Sequence, residues 1–179
     1  GLQSYFIGRM EQYLNSKGRQ IIGWDEILEG GLAPNASVMS WRGEKGGIEA
    51  AKLHHTVVMT PTTYVYFDYS QAKTEDSLTI GGYLPLEVVY NYEPLPKDLT
   101  PEEQQYIIGA QANLWTEYLP SPSKVEYMLF PRLAALSEVL WSAPQHKNWN
   151  DFKNRLPTQF KRYDLWQVSY HKNGINKGA

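Results

Sequence analysis

An aromatic side chain and a carboxylate stand two residues apart at Trp115 and Glu117, at the end of the stretch 109–117. The first half of this stretch is small and apolar, which is typical of a buried strand. Side chains alternate along a strand, so Trp115 and Glu117 are predicted to point to the same side. Such a pair can hold a sugar ring, because the C–H face of the ring stacks on the indole and its hydroxyls donate to the carboxylate. The alternative is a Trp that packs in the core near an unrelated acid.

Similar side chains stand at the ends of other predicted strands. Trp24 and Trp41 each end a short apolar run, and Tyr66 lies two residues before Asp68. In barrels of alternating strands and helices, active sites are built at the C-terminal ends of the strands. The repeated placement of aromatic and acidic residues therefore favours a site at this end over chance packing.

The elements that position these residues alternate along the chain. Strands are predicted at 20–26, 37–43, 56–60 and 109–117, and helices at 2–17, 47–55, 125–141 and 149–170, the last broken near Pro157. A long irregular stretch at 69–101 contains one helical turn, at 86–90, and another turn follows at 102–106. Strands that alternate with helices pair in parallel. The predicted fold class is α/β, with about four β-α units, half of a (β/α)8 TIM-type barrel.

The composition narrows the class of protein. The 179 residues are 42% hydrophobic and 20% charged, with a net charge of −2, which is typical of a globular domain and gives no reason to expect nucleic acid as a partner. Aromatic residues make up 13%, which suits carbohydrate binding or an ordinary core. The absence of Cys excludes disulfides and thiol catalysis.

The ends and hydropathy of the chain give further expectations. No apolar run approaches the ~20 residues of a membrane span, and no signal peptide is recognised. The chain starts without Met and directly with a helical pattern, so we expect a mature product or a piece of a longer protein.

Five motifs together resemble the C-terminal half of the catalytic barrel of family 20 glycoside hydrolases, the β-N-acetylhexosaminidases. The resemblance covers nearly the whole chain, and the motifs occur in the order and spacing of the family. The motifs are Gly23-Trp24-Asp25-Glu26, Ser40-Trp41-Arg42-Gly43, Tyr66-Phe67-Asp68, Gly109-Ala110-Gln111 with Leu114-Trp115-Thr116-Glu117, and Pro131-Arg132-Leu133-Ala134-Ala135-Leu136-Ser137-Glu138. Residues 1–179 are then expected to be the C-terminal part of a single catalytic domain.

The resemblance implies a role for each predicted site residue. In this family the acetamido oxygen of the substrate is the nucleophile. Tyr66 would donate its hydroxyl to the acetamido carbonyl and is the one catalytic residue. The remaining residues would bind substrate, as an aromatic wall (Trp24, Trp41, Trp115) or as acceptors for the O4 and O6 hydroxyls (Asp68, Glu117). Thr116, on the other face of its strand, is expected to pack.

The general acid of the family is missing from the sequence. It belongs to a Gly-Asp-Glu motif that occurs nowhere in this chain, and an N-terminal Arg expected to bind the sugar is missing too. Asp25 and Glu26 do not replace the acid, because their Gly-Trp context matches a later strand and alternation points them in opposite directions. Glu26 is expected to line the site or to form a structural salt bridge. The chain by itself is therefore expected to be inactive.

Partners and location follow from the resemblance. The substrates would be glycans that end in N-acetylglucosamine or N-acetylgalactosamine, and the location periplasmic, secreted or lysosome-like. No cofactor and no metal are expected, because no cluster of His, Asp and Glu has ligand spacing. The unpaired edges of a half barrel predict self-association. The alternatives are a non-catalytic carbohydrate-binding or interaction module that uses the same aromatic wall, and a barrel enzyme of unrelated chemistry.

Several other residues are expected to be structural. His54 and His55 would cap a helix end or lie in a solvated turn. Arg132 and Glu138 would pair with neighbouring elements at the barrel wall. Packing in the core or an interface is expected for the remaining tryptophans, Trp141, Trp149 and Trp166.

Overall fold

In the computed structural model, which describes residues 1–74 and 78–172, four parallel strands form one sheet in chain order. They are β1 (Ile22–Trp24), β2 (Ser37–Ser40), β3 (Val57–Met59) and β4 (Ile107–Ala110). Their register places Trp24 beside Met39 and Met59 beside Ala110. The side chains of Val38, Val57 and Met59 are fully buried. The prediction of four parallel strands is therefore confirmed.

Helices and turns make up most of the remaining described residues. The α-helices are α1 (Leu2–Ser16), α2 (Lys45–Lys52), α3 (Thr62–Val65), α4 (Leu86–Tyr90), α5 (Pro101–Gln104), α6 (Pro122–Leu129), α7 (Arg132–Trp141) and α8 (Trp149–Trp166). Short 3-10 helices follow β1 and α7, at Asp25–Leu28 and Pro144–His146. Within the described residues, the chain divides into two compact units, one of residues 1–62 and 94–111 and the other of residues 63–74, 78–93 and 112–172. No helix in the described ranges combines the length and apolarity needed to cross a membrane.

The first unit contains the whole sheet. Its helix α1 ends as predicted, with Gly18 in the left-handed region at φ 69°, a conformation that glycine adopts at little cost. The apolar side chains of α1 are largely exposed, with Leu2 at 83% and Phe6 at 57%. The buried side chain of the helix is instead Glu11, which accepts a hydrogen bond from the backbone of Asn35 at 2.7 Å.

The second unit has a helical core. Phe67, Tyr90 and Leu156 are almost completely buried in it. The ring of Tyr90 stacks on that of Phe152, with 4.5 Å between ring centroids. The Tyr90 hydroxyl donates to Glu138, which also pairs with Arg155 at 2.7 Å. Glu138 thus pairs with a neighbouring helix, as predicted.

Four predicted elements differ from the structure. The first strand ends at Trp24, and Asp25 and Glu26 lie in a 3-10 helix, so the prediction that strand alternation points them in opposite directions is wrong. The last strand ends at Ala110, so residues 111–117 are not the strand that was predicted, and Asn113 alone forms an isolated bridge. The apolar helix predicted at 125–141 is two helices, because Pro131 has no amide hydrogen to continue the first one. The last helix runs from Trp149 to Trp166 through Pro157, so the predicted break is wrong.

The residues expected to be structural divide into packed and exposed ones. His54 has φ 64° just after α2 and stacks on Tyr106, and His55 bonds the Ala36 carbonyl at 2.8 Å, so both belong to the turn that ends the helix. Trp149 packs beside the ring of Tyr90. Trp141 and Trp166 are 94% and 61% exposed, so they do not pack in the core, and packing in an interface stays a prediction for them.

Candidate active site

The six predicted site residues divide between the two units. Trp24 and Trp41 belong to the first unit, and the others, Tyr66, Asp68, Trp115 and Glu117, belong to the second. No single element carries the four residues of the second unit. They lie on two segments, one after α3 and one after β4.

Backbone hydrogen bonds join these two segments at Tyr66 and Asn113. The two residues form an isolated parallel bridge. The amide of Asn113 donates to the carbonyl of Val65 at 2.9 Å, and the amide of Phe67 donates to the carbonyl of Asn113 at 2.7 Å. The bridge aligns Tyr66 and Asp68 with the residues that lead to Trp115. Sequence reasoning missed Asn113, whose only signal was a polar residue within an apolar stretch.

The hydroxyl of Tyr66 is buried and hydrogen-bonded. The residue is 7% exposed, and burial raises the pKa of its hydroxyl above the ordinary value. Hydrogen bonds with the side chains of Trp115 and Asn113 offset part of this rise. The indole nitrogen of Trp115 can only donate, so the Tyr66 oxygen accepts that bond. Because its pKa is raised, the Tyr66 hydroxyl is neutral at physiological pH.

Asp68 is a buried carboxylate without a full set of donors. It is 5% exposed, and its Oδ1 has no hydrogen-bond partner within residues 1–74 and 78–172. Burial raises the pKa of Asp68, the charge of Glu117 adds to the rise, and its own backbone amide and Arg132 act against it. A buried acceptor with an unused oxygen is costly unless a ligand supplies the donor. Its chemistry therefore suits a hydroxyl-bearing ligand.

Trp115 and Glu117 lie on an exposed, irregular segment. Because no strand continues to them, the argument from alternation does not apply to their orientation. Trp115 is 43% exposed and Glu117 is exposed too. A cleft of about 310 Å³ lies beside Glu117 and is lined also by Thr116 and Tyr118. Thr116 is itself exposed, so the prediction that it packs inside the fold is wrong.

Arg132, at the start of α7, supports the segment that carries Tyr66 and Asp68. Its side chain is completely buried. The guanidinium donates to the carbonyl oxygens of Phe67 and Tyr69, the latter at 2.9 Å. It also donates to the carbonyls of Leu84 and Met128. Arg132 thus bonds to neighbouring elements, as predicted, and two of its acceptors flank Asp68.

In the first unit, Trp41 follows β2 and is held by the residues that follow β1. Its indole nitrogen donates to both carboxylate oxygens of Glu26, at 3.0 and 2.9 Å. Its backbone amide donates to the carboxylate of Asp25 at 3.0 Å. Trp24 is half-buried at the end of β1.

Asp25 and Glu26 act as acceptors. Asp25 is 2% exposed and also accepts from the backbone and the side chain of Arg42, at 3.1 and 2.6 Å. Both oxygens of the Asp25 carboxyl group are therefore occupied by donors of the same unit. The salt bridges of Arg42 are with Asp25 and Glu29. In the described part of the chain Glu26 bonds the Trp41 indole, and the structural salt bridge expected of it is formed there by its neighbour Asp25.

Within residues 1–74 and 78–172, no group of three His, Asp or Glu side chains could hold a metal ion.

Comparison with known proteins identifies the family to which these residues point. Residues 1–144 match glycosyl hydrolase family 20, catalytic domain. A β-hexosaminidase of Porphyromonas gingivalis is 50% identical over 172 residues, which are 95% of this chain and 22% of that protein. A β-N-acetylhexosaminidase of Cellulomonas fimi is 32% identical over 171 residues, which are 92% of this chain and 34% of that protein.

Solved structures show the same fold. An exo-β-N-acetylglucosaminidase of family 20 from Vibrio harveyi, solved in complex with N-acetylglucosamine, superimposes with a TM-score of 0.86. It is 36% identical, and the match covers 96% of this chain and 27% of that one. The prediction of an α/β fold that forms part of a (β/α)8 barrel is confirmed. The chain spans about a fifth to a third of the length of the curated relatives named above.

Proposed function

Because the chain belongs to glycosyl hydrolase family 20, we propose that it is part of an exo-β-N-acetylhexosaminidase that removes terminal non-reducing N-acetylhexosamine residues. The observation that carries the proposal is the buried Tyr66 hydroxyl, which is hydrogen-bonded to Trp115. The segment that bears Tyr66 also bears the buried Asp68. A neutral donor and an acceptor carboxylate on one segment suit a ligand that has both an amide carbonyl and hydroxyls.

The proposed reaction is retaining and substrate-assisted. The acetamido oxygen attacks the anomeric carbon as the glycosidic bond breaks and the leaving oxygen takes a proton, and water then opens the cyclic intermediate. Tyr66 would donate its hydroxyl proton to the acetamido oxygen in a hydrogen bond and hold that oxygen for attack. Burial supports this role, because the raised pKa keeps the hydroxyl protonated. The indole N–H of Trp115 would keep the Tyr66 oxygen in place.

The two carboxylates of the second unit are proposed to recognise sugar hydroxyls. Asp68 would accept from a hydroxyl through the oxygen that lacks a partner in the described part of the chain. Glu117 is exposed and would accept from a second hydroxyl. Trp115 would stack on the sugar face. Trp24 and Trp41 are proposed as parts of the aromatic wall, with Trp41 against the acetamido methyl.

The proton for the leaving group is proposed to come from residues outside these 179. The sequence contains no Gly-Asp-Glu, and Asp25 and Glu26 are engaged as acceptors. Acid catalysis supplies about 10²–10⁴-fold in rate, so the 179-residue chain alone should show no measurable turnover.

The test compares the 179-residue chain with the complete protein encoded by the gene that includes it. Both are assayed on a chromogenic N-acetyl-β-D-glucosaminide, with and without a thiazoline mimic of the cyclic intermediate. We expect turnover only from the complete protein, and inhibition by the thiazoline. Turnover by the 179 residues would refute the placement of the acid. A complete protein that binds the sugar, seen as a change in Trp fluorescence, without turning it over would instead favour the binding module.

A further inference from the structure

Trp41 is held at both of its ends by two consecutive acidic residues. The backbone amide donates to Asp25 Oδ2 at 3.0 Å, and the indole nitrogen donates to Glu26 Oε1 and Oε2 at 3.0 and 2.9 Å. Glu26 is therefore the residue that faces the edge of the Trp41 ring, whereas Asp25 faces its backbone.

The register of the sheet explains why these residues meet. Trp24 at the end of β1 lies beside Met39 in β2, so the residues after β1 come next to those after β2. The 3-10 helix Asp25–Leu28 then turns both carboxylates toward the β2 end. Gly46 leaves room for this turn, because a Cβ at position 46 would lie only 2.8 Å from the Cβ of Asp25.

The two contacts have different physical consequences. The Asp25 carboxylate also accepts from the backbone and side chain of Arg42, so it fixes the course of the chain after β2. Glu26 bonds to the indole edge, and a bond that both carboxylate oxygens share limits rotation of the ring about its side-chain torsions. Bonds to an ionised acceptor are roughly twice as strong as neutral ones. Glu26 thus sets the direction of the ring and Asp25 that of the backbone.

We propose that Glu26 is a positioning residue that orients Trp41 and thereby limits the size of the N-acyl group that a substrate can carry. This inference rests on the proposed function, which places Trp41 against the acetamido methyl. A ring held at its edge presents a fixed face, so an acyl group one methylene longer meets the ring instead of displacing it. Loss of the Glu26 carboxylate would let the ring turn and would relax this discrimination.

The experiment uses the complete protein with Glu26→Ala and Glu26→Gln. Glu29→Gln is the control, because Glu29 is a carboxylate of the same loop that bonds Arg42, whereas Glu26 bonds the Trp41 indole. Each protein is assayed on two glucosaminides with one leaving group, N-acetyl and N-propanoyl. The quantity compared is the ratio of the two kcat/KM values.

We expect Glu26→Ala to reduce the preference for N-acetyl by roughly tenfold, because one methylene in a fitted pocket is discriminated by about 10- to 200-fold. Glu26→Gln keeps one acceptor oxygen and should retain more of the preference. Glu29→Gln should leave it unchanged. An unchanged ratio in an active Glu26→Ala protein would overturn the proposal, and if that variant does not fold, Glu26→Met, which fills a similar volume without an acceptor oxygen, decides in the same way.

A spectroscopic arm separates this inference from the proposed function. In protein labelled with ¹⁵N at the Trp indole, the Trp41 resonance is identified by its loss in Trp41→Phe. It should move in Glu26→Ala and stay in place in Glu29→Gln. If the wild type turns over neither sugar, the proposed function fails. A Trp41 resonance that stays in place in Glu26→Ala overturns the positioning role of Glu26, whatever the turnover. If the resonance moves while the ratio stays constant, Glu26 is merely structural and the inference is wrong.

Discussion

The guanidinium of Arg132 donates a hydrogen bond to the backbone carbonyl of Tyr69, at 2.9 Å. It bonds the carbonyl of Phe67 as well, so one buried side chain holds the chain on both sides of Asp68. The cation also acts against the rise in the pKa of Asp68 that burial causes. Arg132 thus links the start of α7 to the segment proposed to bind substrate.

Replacing Arg132 by Met should destabilise the complete protein strongly. The substitution leaves buried carbonyl oxygens without donors, and each such loss costs about 1–3 kcal/mol. We expect the free energy of unfolding to fall by more than about 3 kcal/mol, measured by denaturant titration. Arg162→Met is the control, because Arg162 is exposed and bonds Gln159, and its effect should stay within about 0.5 kcal/mol. Equal effects of the two substitutions would contradict the role of Arg132.

Replacing Asp68 by Asn should stabilise the fold and weaken sugar binding. The pKa of Asp68 lies above its ordinary value of 3.8, first because of burial, so the folded state favours the protonated carboxyl. The stability that this group contributes is therefore fully present below pH 3.8 and is lost as the pH rises through the raised pKa. Asn does not ionise, so the Asp68→Asn protein does not lose this stability as the pH rises.

The stability of Asp68→Asn is followed by thermal unfolding across pH. Its melting temperature should exceed that of the wild type at pH 7, with the difference vanishing at low pH. Glu117→Gln, which removes the nearby charge, should produce a smaller change in the same direction. A less stable Asp68→Asn protein at pH 7 would show that the ionised carboxylate is stabilising.

Replacing Pro157 by Ala should stabilise α8. Proline cannot donate to the carbonyl four residues earlier, and in a helix interior it is about 3 kcal/mol less favourable than Ala. Proline also lowers the conformational entropy of the unfolded chain, which offsets part of this cost. We therefore expect Pro157→Ala to raise the free energy of unfolding by roughly 2 kcal/mol. Asn154→Ala, also exposed on α8, should change stability by less than about 0.7 kcal/mol. A loss of stability in Pro157→Ala would contradict this account of the helix.

The 179-residue chain should self-associate in solution. In the described part of the chain, β1 and β4 are edge strands of the sheet, and α1 exposes Leu2 and Phe6. Unpaired edges and exposed apolar side chains favour association. Light scattering should therefore give a mass above that of one chain, with lower association in Phe6→Lys. A stable monomer at micromolar concentration would count against the half-barrel interpretation.

The sequence predicted the number and parallel pairing of the strands and the ends of several helices, because these features are local and are marked by strong turn signals. Gly18 ends α1, and Thr100 begins α5 with a capping box to Glu103. The turn at Leu86–Tyr90 was predicted with the same bounds as α4. These features depend on neighbouring residues in the chain, which sequence patterns report directly.

The parts that could not be predicted depend on contacts between distant residues. Arg132 bonds carbonyls 48 to 65 positions away, and no local pattern indicates which backbone groups need a donor. The end of β4 was misplaced because the apolar stretch continues past Ala110, whereas the strand pairing does not. The partner of Glu26 was missed for the same reason, since the Trp41 indole lies 15 positions away.

The central claim is that Tyr66 holds the acetamido group of a hexosaminide during hydrolysis. The measurement is the turnover of a chromogenic N-acetyl-β-D-glucosaminide by the complete protein and by its Tyr66→Phe variant, which lacks only the hydroxyl. Removal of one such donor costs about 10²–10³-fold, so we expect kcat to fall by that factor while the protein remains folded. Equal rates for the two proteins would contradict the claim.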